Sequence, residues 1–299
     1  MRPRALALCL LLLAAAPAAA QDAPLVLRLP ASARALALGN ILPPGSADAD
    51  AAFYYPAFAA QMSGIAGGMQ WLGADTVAVD AAGAVEWLGG TIALGLRTAS
   101  YTAPPRAAGP LPAVDLMLPQ PVSERAAQVT YGRIVKGVRF ALTGKYVDQR
   151  WNDDRGARWG VDASAGQQVG PVRLALAAQN LGPDLDVGGV AVPLDRRIAV
   201  AAAPIGGAPL GPLDVLPTVQ AAWQRGARFT PAAGLELGYW PVTGRTFLLR
   251  AGVRRPDAAA GERAFTLGAG FSGDRIGIDY ALAPLRGGRA THRIGLRWR

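Results

Sequence analysis

From about residue 65 to the end of the chain, apolar residues recur at every second position in short runs, and this alternation limits what the chain can become. In 138–147, Val138, Phe140, Leu142 and Tyr146 share one face, while Arg139, Thr143 and Lys145 share the other. In 274–282, Ile276, Ile278, Tyr280 and Leu282 oppose Arg275 and Asp279. In 290–298, Ile294, Leu296 and Trp298 oppose Thr291, Arg293 and Arg297. Further runs near 157–166, 171–180, 195–203, 229–240, 245–255 and 263–273 alternate with more alanine and glycine. A period of two puts successive side chains on opposite faces of a strand. The chain is 51% hydrophobic. Yet no stretch beyond residue 20 reaches the roughly 18 apolar residues of a spanning helix.

Strands of about ten residues, apolar on one face and small or polar on the other, are what a membrane barrel requires. A soluble β-sandwich alternates as well. Two features favour the barrel. The polar faces carry arginine and glycine rather than surface lysine and glutamate. Tyrosine and tryptophan also fall near strand ends, at Trp71, Trp87, Tyr101, Trp151, Trp159, Tyr239 and Trp240, as interfacial girdles do. The expected fold is all-β, a transmembrane antiparallel barrel of about 14 strands with a short N-terminal periplasmic or plug segment. A membrane sheet cannot leave an edge unpaired, so the strand at 290–299 is expected to close against the first. A cation on the Leu142 face should be costly, and one on the Thr143 face better tolerated.

Residues 1–20 read as a cleaved signal peptide. Arg2 and Arg4 precede an apolar run from Leu6 to Leu13, and Ala18, Ala19 and Ala20 offer a cleavage site before Gln21. The single cysteine, Cys9, lies within that run, so a mature chain has no disulfide. Residues 21–64 form a candidate plug or cap, and 65–299 the outer-membrane barrel. Within the first of these, Leu25 to Leu29 suits an edge strand, Pro43, Pro44, Gly45 and Ser46 break the chain, and Pro56 to Met62 suits a short helix. Thr102 to Val122 carries six prolines and reads as a surface loop.

The formal charge of +9 falls to +7 without Arg2 and Arg4, and Lys136 and Lys145 are the only lysines. The arginines are scattered singly through strands, which with export argues against nucleic acid as a partner. Lipopolysaccharide or a lumen is the better use. Arg97, Arg133, Arg139, Lys145, Arg173, Arg250, Arg254, Arg275, Arg293 and Arg297 are assigned to the lumen, with Asp162, Glu236 and Asp279, as an interior ion-pair network. A cationic pathway is the alternative.

Catalysis finds no support in the composition. His292, the only histidine, falls on the outward face beside Ile294, away from any pocket a catalytic or metal-binding imidazole needs. Asn152, Asp153 and Asp154, and Asp184, Asp186 and Gly188, miss the spacing of a calcium loop and suit turns instead. No catalytic, cofactor-binding or metal-binding residue is assigned, and the chain is read as a non-enzyme.

Several segments, in order, resemble the PorV/PorQ-type outer-membrane proteins, relatives of the FadL-like barrels. Residues 32–39 (SARALALG) resemble the family's opening, and 48–59 (DADAAFYYPAFA) its Asn-Pro-Ala segment, with Tyr55 where the family has asparagine. Gly144-Lys145-Tyr146, Gln179-Asn180-Leu181-Gly182-Pro183, Arg250 to Arg254, Asp279-Tyr280-Ala281 and Thr291 to Ile294 resemble later motifs. The resemblance implies a non-enzymatic outer-membrane barrel that serves type IX-like protein secretion as scaffold or shuttle. Its partners would be outer-membrane lipid and lipopolysaccharide, secretion-machinery proteins or exported cargo. A FadL-like transporter of hydrophobic small molecules and an anion-preferring porin are the competing readings.

Overall fold

The computed structural model describes residues 23–73, 75–103, 119–225, 228–257 and 261–298. The signal-peptide expectation lies outside these residues, as does most of the Thr102–Val122 loop. Seven antiparallel strands follow one another: β1 (Gly64–Leu72), β2 (Thr76–Trp87), β3 (Gly90–Ala103), β4 (Gln120–Val135), β5 (Val138–Trp151), β6 (Asp154–Val169) and β7 (Val172–Leu181). A separate small hairpin, β8 (Leu185–Val187) with β9 (Val190–Val192), comes next. The sheet resumes with β10 (Arg197–Pro204) and β11 (Ala208–Leu210), which both pair with β12 (Leu213–Gln224). It ends with β13 (Arg228–Val242), β14 (Arg245–Arg254), β15 (Phe265–Ser272), β16 (Ile276–Pro284) and β17 (Ala290–Trp298).

The terminal strand pairs with the first, from Ile65 opposite Trp298 to Leu72 opposite Thr291, and β10 bridges β7 and β12. With β10 and β11 taken as one interrupted strand, this is a closed barrel of fourteen strands. Closure leaves no sheet edge, the condition lipid imposes on a β structure.

Alternation fixes the two faces. Phe140, Leu142, Trp159, Leu249, Ile294 and Leu296 point outward and are exposed, while Thr143, Lys145, Asp162, Arg250, Arg293 and Arg297 point inward and are buried. Trp71, Trp87, Trp159 and Tyr239 are exposed aromatics near strand ends. Trp240 departs from the girdle assignment, lining the lumen beside Arg34 and Glu236, and so do Tyr101 and Trp151. Both turn inward, the Tyr101 hydroxyl donating to Glu124 Oε1 (2.7 Å) and Trp151 Nε1 to Gln120 Oε1 (3.0 Å).

Eight of the ten cations assigned to the lumen lie on inward strand positions. Arg133 does not: Thr130 and Gly132 face in, so position 133 faces out and is exposed. Arg275 lies exposed in the turn before β16. Leu25–Arg28 forms one helical turn rather than an edge strand, because the closed sheet offers no edge to join. Pro56–Gln61 forms a 3₁₀ helix where a short helix was expected.

Residues 23–63 lie inside the barrel, and this explains the alanine and glycine in the strands. Ala93, Ala175, Ala177, Ala199, Ala201 and Ala222 face Tyr54, Tyr55, Phe58 and Leu42 of the N-terminal segment in one buried cluster. A Cβ on Gly166 would meet the Phe58 ring at 2.6 Å, and one on Gly252 would lie 2.1 Å from the Gly39 amide nitrogen. Larger inward side chains would exclude the plug.

The two barrel ends differ. At the end shared by Gly64 and Trp298 the connections are tight, as at Leu88-Gly89 and Lys136-Gly137, whose positive φ values suit two-residue hairpin turns. The opposite end carries the connection from β3 to β4, the β8–β9 hairpin and the 255–264 segment.

Thr143 corrects one expectation. Its face is lumenal, but the side chain is 1% exposed and shares a 2.7 Å hydroxyl contact with Thr130, so a cation there has no room. Leu142→Arg and Thr143→Arg should therefore both lower the yield of heat-modifiable barrel. The first does so through the bilayer cost of about 2–4 kcal/mol and the second through overpacking, whereas Leu142→Ala should fold normally on the same gel assay.

Candidate functional site

The inward faces of β13, β14, β16 and β17 each place one charge at similar depth, and the plug supplies the remainder. Arg250 donates from Nε to Glu236 (2.5 Å) and from Nη1 to Asp279 (2.6 Å). Arg34 of the plug, in the turn Ala33–Ala37, donates two parallel bonds to the same Glu236 (2.9 and 2.7 Å). Asp48 of the plug accepts from Arg297 at 2.9 Å and lies 3.6 Å from Arg34. Arg297 also lies 2.9 Å from Asp279. Three guanidiniums thus face three carboxylates, a balanced cluster. Buried charges persist only when paired in this way.

Further anchors hold the plug around the wall. Arg293 pairs with Asp80 and donates to the Pro30 carbonyl (3.0 Å) and Gln70 (3.2 Å). Arg97 donates to the Leu29 carbonyl and stacks over Phe53, while Arg139 stacks over Phe58 at 5.4 Å. The Tyr55 hydroxyl donates to Gln220 Oε1 at 2.5 Å. Gln128 and Gln179 donate to the carbonyls of Ala52 and Phe53, each at 3.0 Å.

At the long-loop end, Glu124 accepts the Val26 amide (2.6 Å) and the Gln149 amide (2.7 Å). Val26 and Leu29 pack there with Leu185, Val187, Val192 and Leu194 of the β8–β9 region. Beside them Lys145 bonds Asp162 (2.8 Å) and Asn180 (2.7 Å), and the Asn180 side chain donates to the Asp195 carbonyl (2.7 Å). Asn180 sits at φ 58°, a left-handed conformation that asparagine tolerates.

Two lumen cavities remain prominent among the described residues. One of about 120 Å³ lies between Tyr54, Arg97, Lys145, Asn180 and Gln220. The other, about 220 Å³, lies between Arg34, Glu236, Arg250 and Trp240. The first is lined mostly by polar groups, and both are below the roughly 300–1,000 Å³ of ordinary ligand pockets.

Asp162, Glu236 and Asp279 take their assigned lumen places, and the structure adds partners that alternation did not single out: Arg34, Asp48, Asp80 and Glu124. Asp80 had a legible signal, a carboxylate inside the apolar run Val77 to Val85. Arg34 and Asp48 had none, because their partners on the barrel wall, Glu236 and Arg297, are some 200 or more residues away. Outside the lumen, His292 Nδ1 contacts the Tyr280 hydroxyl at 2.7 Å on the outer face. Asp184 pairs with Arg225 (2.9 Å), and Asp186 accepts the Gly189 amide (2.9 Å) within its turn. Among the described residues, no group of three His, Cys, Asp or Glu is placed to hold a metal.

The motifs that carry the family resemblance meet in this lumen. Lys145 and Asn180, from two of them, bond each other, and Arg250 and Asp279, from two more, do the same. No family model matches the sequence, and no curated protein matches it. Solved structures do match the fold. The toluene transporter TodX of Pseudomonas putida superposes with a TM-score of 0.58 at 10% identity, over 93% of this chain and 97% of that one. A TodX deltaS2S3 mutant, described as a monoaromatic hydrocarbon channel, gives 0.57 at 9% identity over 89% and 97%. The fold is a closed fourteen-stranded antiparallel β-barrel, shared with these transporter structures.

Two outcomes follow from the plug's electrostatics. Glu236→Gln removes the carboxylate shared by Arg34 and Arg250, and breaking such a buried pair should cost about 3–5 kcal/mol. The expected result is a lower unfolding temperature and faster protease cleavage within residues 23–63. Asp50 is buried beside Asp48, with Oδ1 lacking a hydrogen-bond partner. Burial first, and Asp48 second, push its carboxyl up to about 7. An acid raised in the folded state keeps its proton while the unfolded chain loses it, so plug stability falls as pH rises from about 4 to about 7. Asp50→Asn should flatten that decline and stabilise the plug at pH 8, read by thermal unfolding across pH.

Proposed function

We propose that this chain is a plugged outer-membrane barrel that works as a docking scaffold or shuttle in type IX-like protein secretion, in the manner of the PorV/PorQ proteins it resembles. The observation that carries this reading is the occupied lumen. The barrel's own N-terminal segment fills it, ion-paired through Arg34 and Asp48 to Glu236 and Arg297. Residual cavities are small, so the surfaces open to a large partner are the long connections at the end opposite Trp298. Outer-membrane barrels keep short turns on the periplasmic side and long loops outside. On that rule the partner-facing end is extracellular, and β1 begins at the periplasmic rim after an exported leader is removed.

The likeness to TodX, a toluene transporter, across nearly the whole chain supports a second reading. In it the plug would yield to a small hydrophobic molecule entering from outside. The polar lining of the cavity beside Tyr54 and Lys145 weighs against hydrocarbon as the cargo. The balanced charge of the lumen cluster weighs against an anion-preferring porin.

Purification from native membranes in mild detergent should recover exported or secretion-machinery proteins with the barrel, and planar bilayers holding the purified protein should show no steady conductance. Capture must be lost on shortening the 104–119 connection while the barrel still folds. A steady open-pore current, or lumen-bound lipid with no protein partner, would overturn the scaffold reading.

A further inference from the structure

Among the described residues, the outward face of the barrel is almost free of charge. Among the described strands, outward positions are apolar, small or uncharged except for Arg133 and Arg245 at the short-turn end and a cluster on β4–β6 at the other. That cluster is Arg125, Asp148, Arg150 and Arg155. Registers set them side by side: Arg125 opposite Asp148, and Arg150 opposite Arg155. Directly opposed side chains on one face have Cβ atoms about 4.5–5.5 Å apart, so all three guanidiniums can reach one small anion.

Three features point to a ligand. Like charges opposite each other destabilise a sheet, yet Arg150 and Arg155 are paired in this way. Asp148 is the one acidic residue on these outward strand positions, and it accepts Arg155 Nε at 2.6 Å while Arg150 Nε turns to the Asn152 carbonyl at 3.0 Å. The cluster also begins where the lipid-facing band ends. On β5 the outward positions run Val138, Phe140, Leu142, Gly144 and Tyr146 before Asp148 and Arg150. This is about the span of a membrane strand. Tyr146 packs against Trp159 of β6 in a tilted pair, centroids 5.1 Å apart, directly below the arginines. An aromatic pair at this height marks the interface, where headgroup phosphates lie. Ser100 and Ser123, opposite each other on β3 and β4, add hydroxyl donors alongside Arg150.

We infer that Arg125, Arg150 and Arg155 bind the phosphate of a phosphorylated glycolipid in the outer leaflet, with Asp148 holding Arg155 in place. Arginine matches phosphate oxygens with paired donors, and the acyl chains would lie along Leu142, Tyr146 and Trp159. The choice of leaflet rests on the loop-based orientation above, but the binding itself is independent of any secretion partner.

Native mass spectrometry in mild detergent tests it, with bisphosphorylated lipid A, its fully dephosphorylated form and inorganic phosphate as probes. The wild-type barrel should retain lipid A at least about tenfold better than R125Q/R150Q/R155Q, and better than it retains the dephosphorylated form. Arg133→Gln, on the same face at the other rim, should bind like wild type. If the triple variant does not give heat-modifiable barrel, Arg150→Gln alone should weaken retention at least about threefold. The inference is overturned if a folded variant keeps wild-type retention or if the dephosphorylated lipid binds equally. It is also overturned if inorganic phosphate at equal concentration displaces lipid A. Loss of protein capture or appearance of conductance in the preceding experiments leaves this result unaffected, so the two failures are separable.

Discussion

Everything in this molecule depends on the ladder between β1 and β17. In lipid, an unpaired backbone amide or carbonyl costs several kcal/mol, so a sheet crossing the bilayer must return to its own start. The register from Ile65 opposite Trp298 to Leu72 opposite Thr291 accomplishes this, joining positions as far as 233 residues apart in sequence. Once closed, the sheet gives each residue one of two environments. One faces lipid and the other faces a space that must be filled or left to water.

Here that space is filled, and the filling dictates the wall. Alanines and glycines on the inner face make room for Tyr54, Tyr55, Phe58 and the turn Ala33–Ala37. Among the inward charges, Glu236 and Arg297 match Arg34 and Asp48 on the plug. A guanidinium such as Arg250, shared between Glu236 and Asp279, is tolerable only because both carboxylates are in place and Arg34 balances them. The plug and wall are therefore one electrostatic unit, and moving the plug would mean separating ion pairs as well as exposing apolar surface.

The same rule of two faces explains the outer surface. Nearly all outward strand positions are lipid-compatible, so the arginines of β4–β6 are conspicuous by contrast. They lie where the strands continue past the aromatic pair Tyr146 and Trp159, in a zone where charge is no longer penalised by hydrocarbon. Inner and outer charges thus obey different conditions: the inner ones need protein partners, and the outer ones need headgroups or water.

The sequence by itself determined the strand class, the barrel, its approximate strand number and the face of most residues, because a period of two is a local property that neighbours in the chain reveal. It also placed His292 outward and the acidic turns in loops. It did not determine which lumenal charges meet. Arg34 with Glu236 and Arg297 with Asp48 join residues separated by more than half the chain, and nothing local marks such pairs. Nor could alternation say that Leu25–Arg28 coils instead of joining the sheet, that Tyr101 and Trp151 turn inward, or that Thr143 has no room beside Thr130. Those outcomes were decided by closure, which removes every free edge, and by the plug, which turns the polar face of each strand into a packed interior.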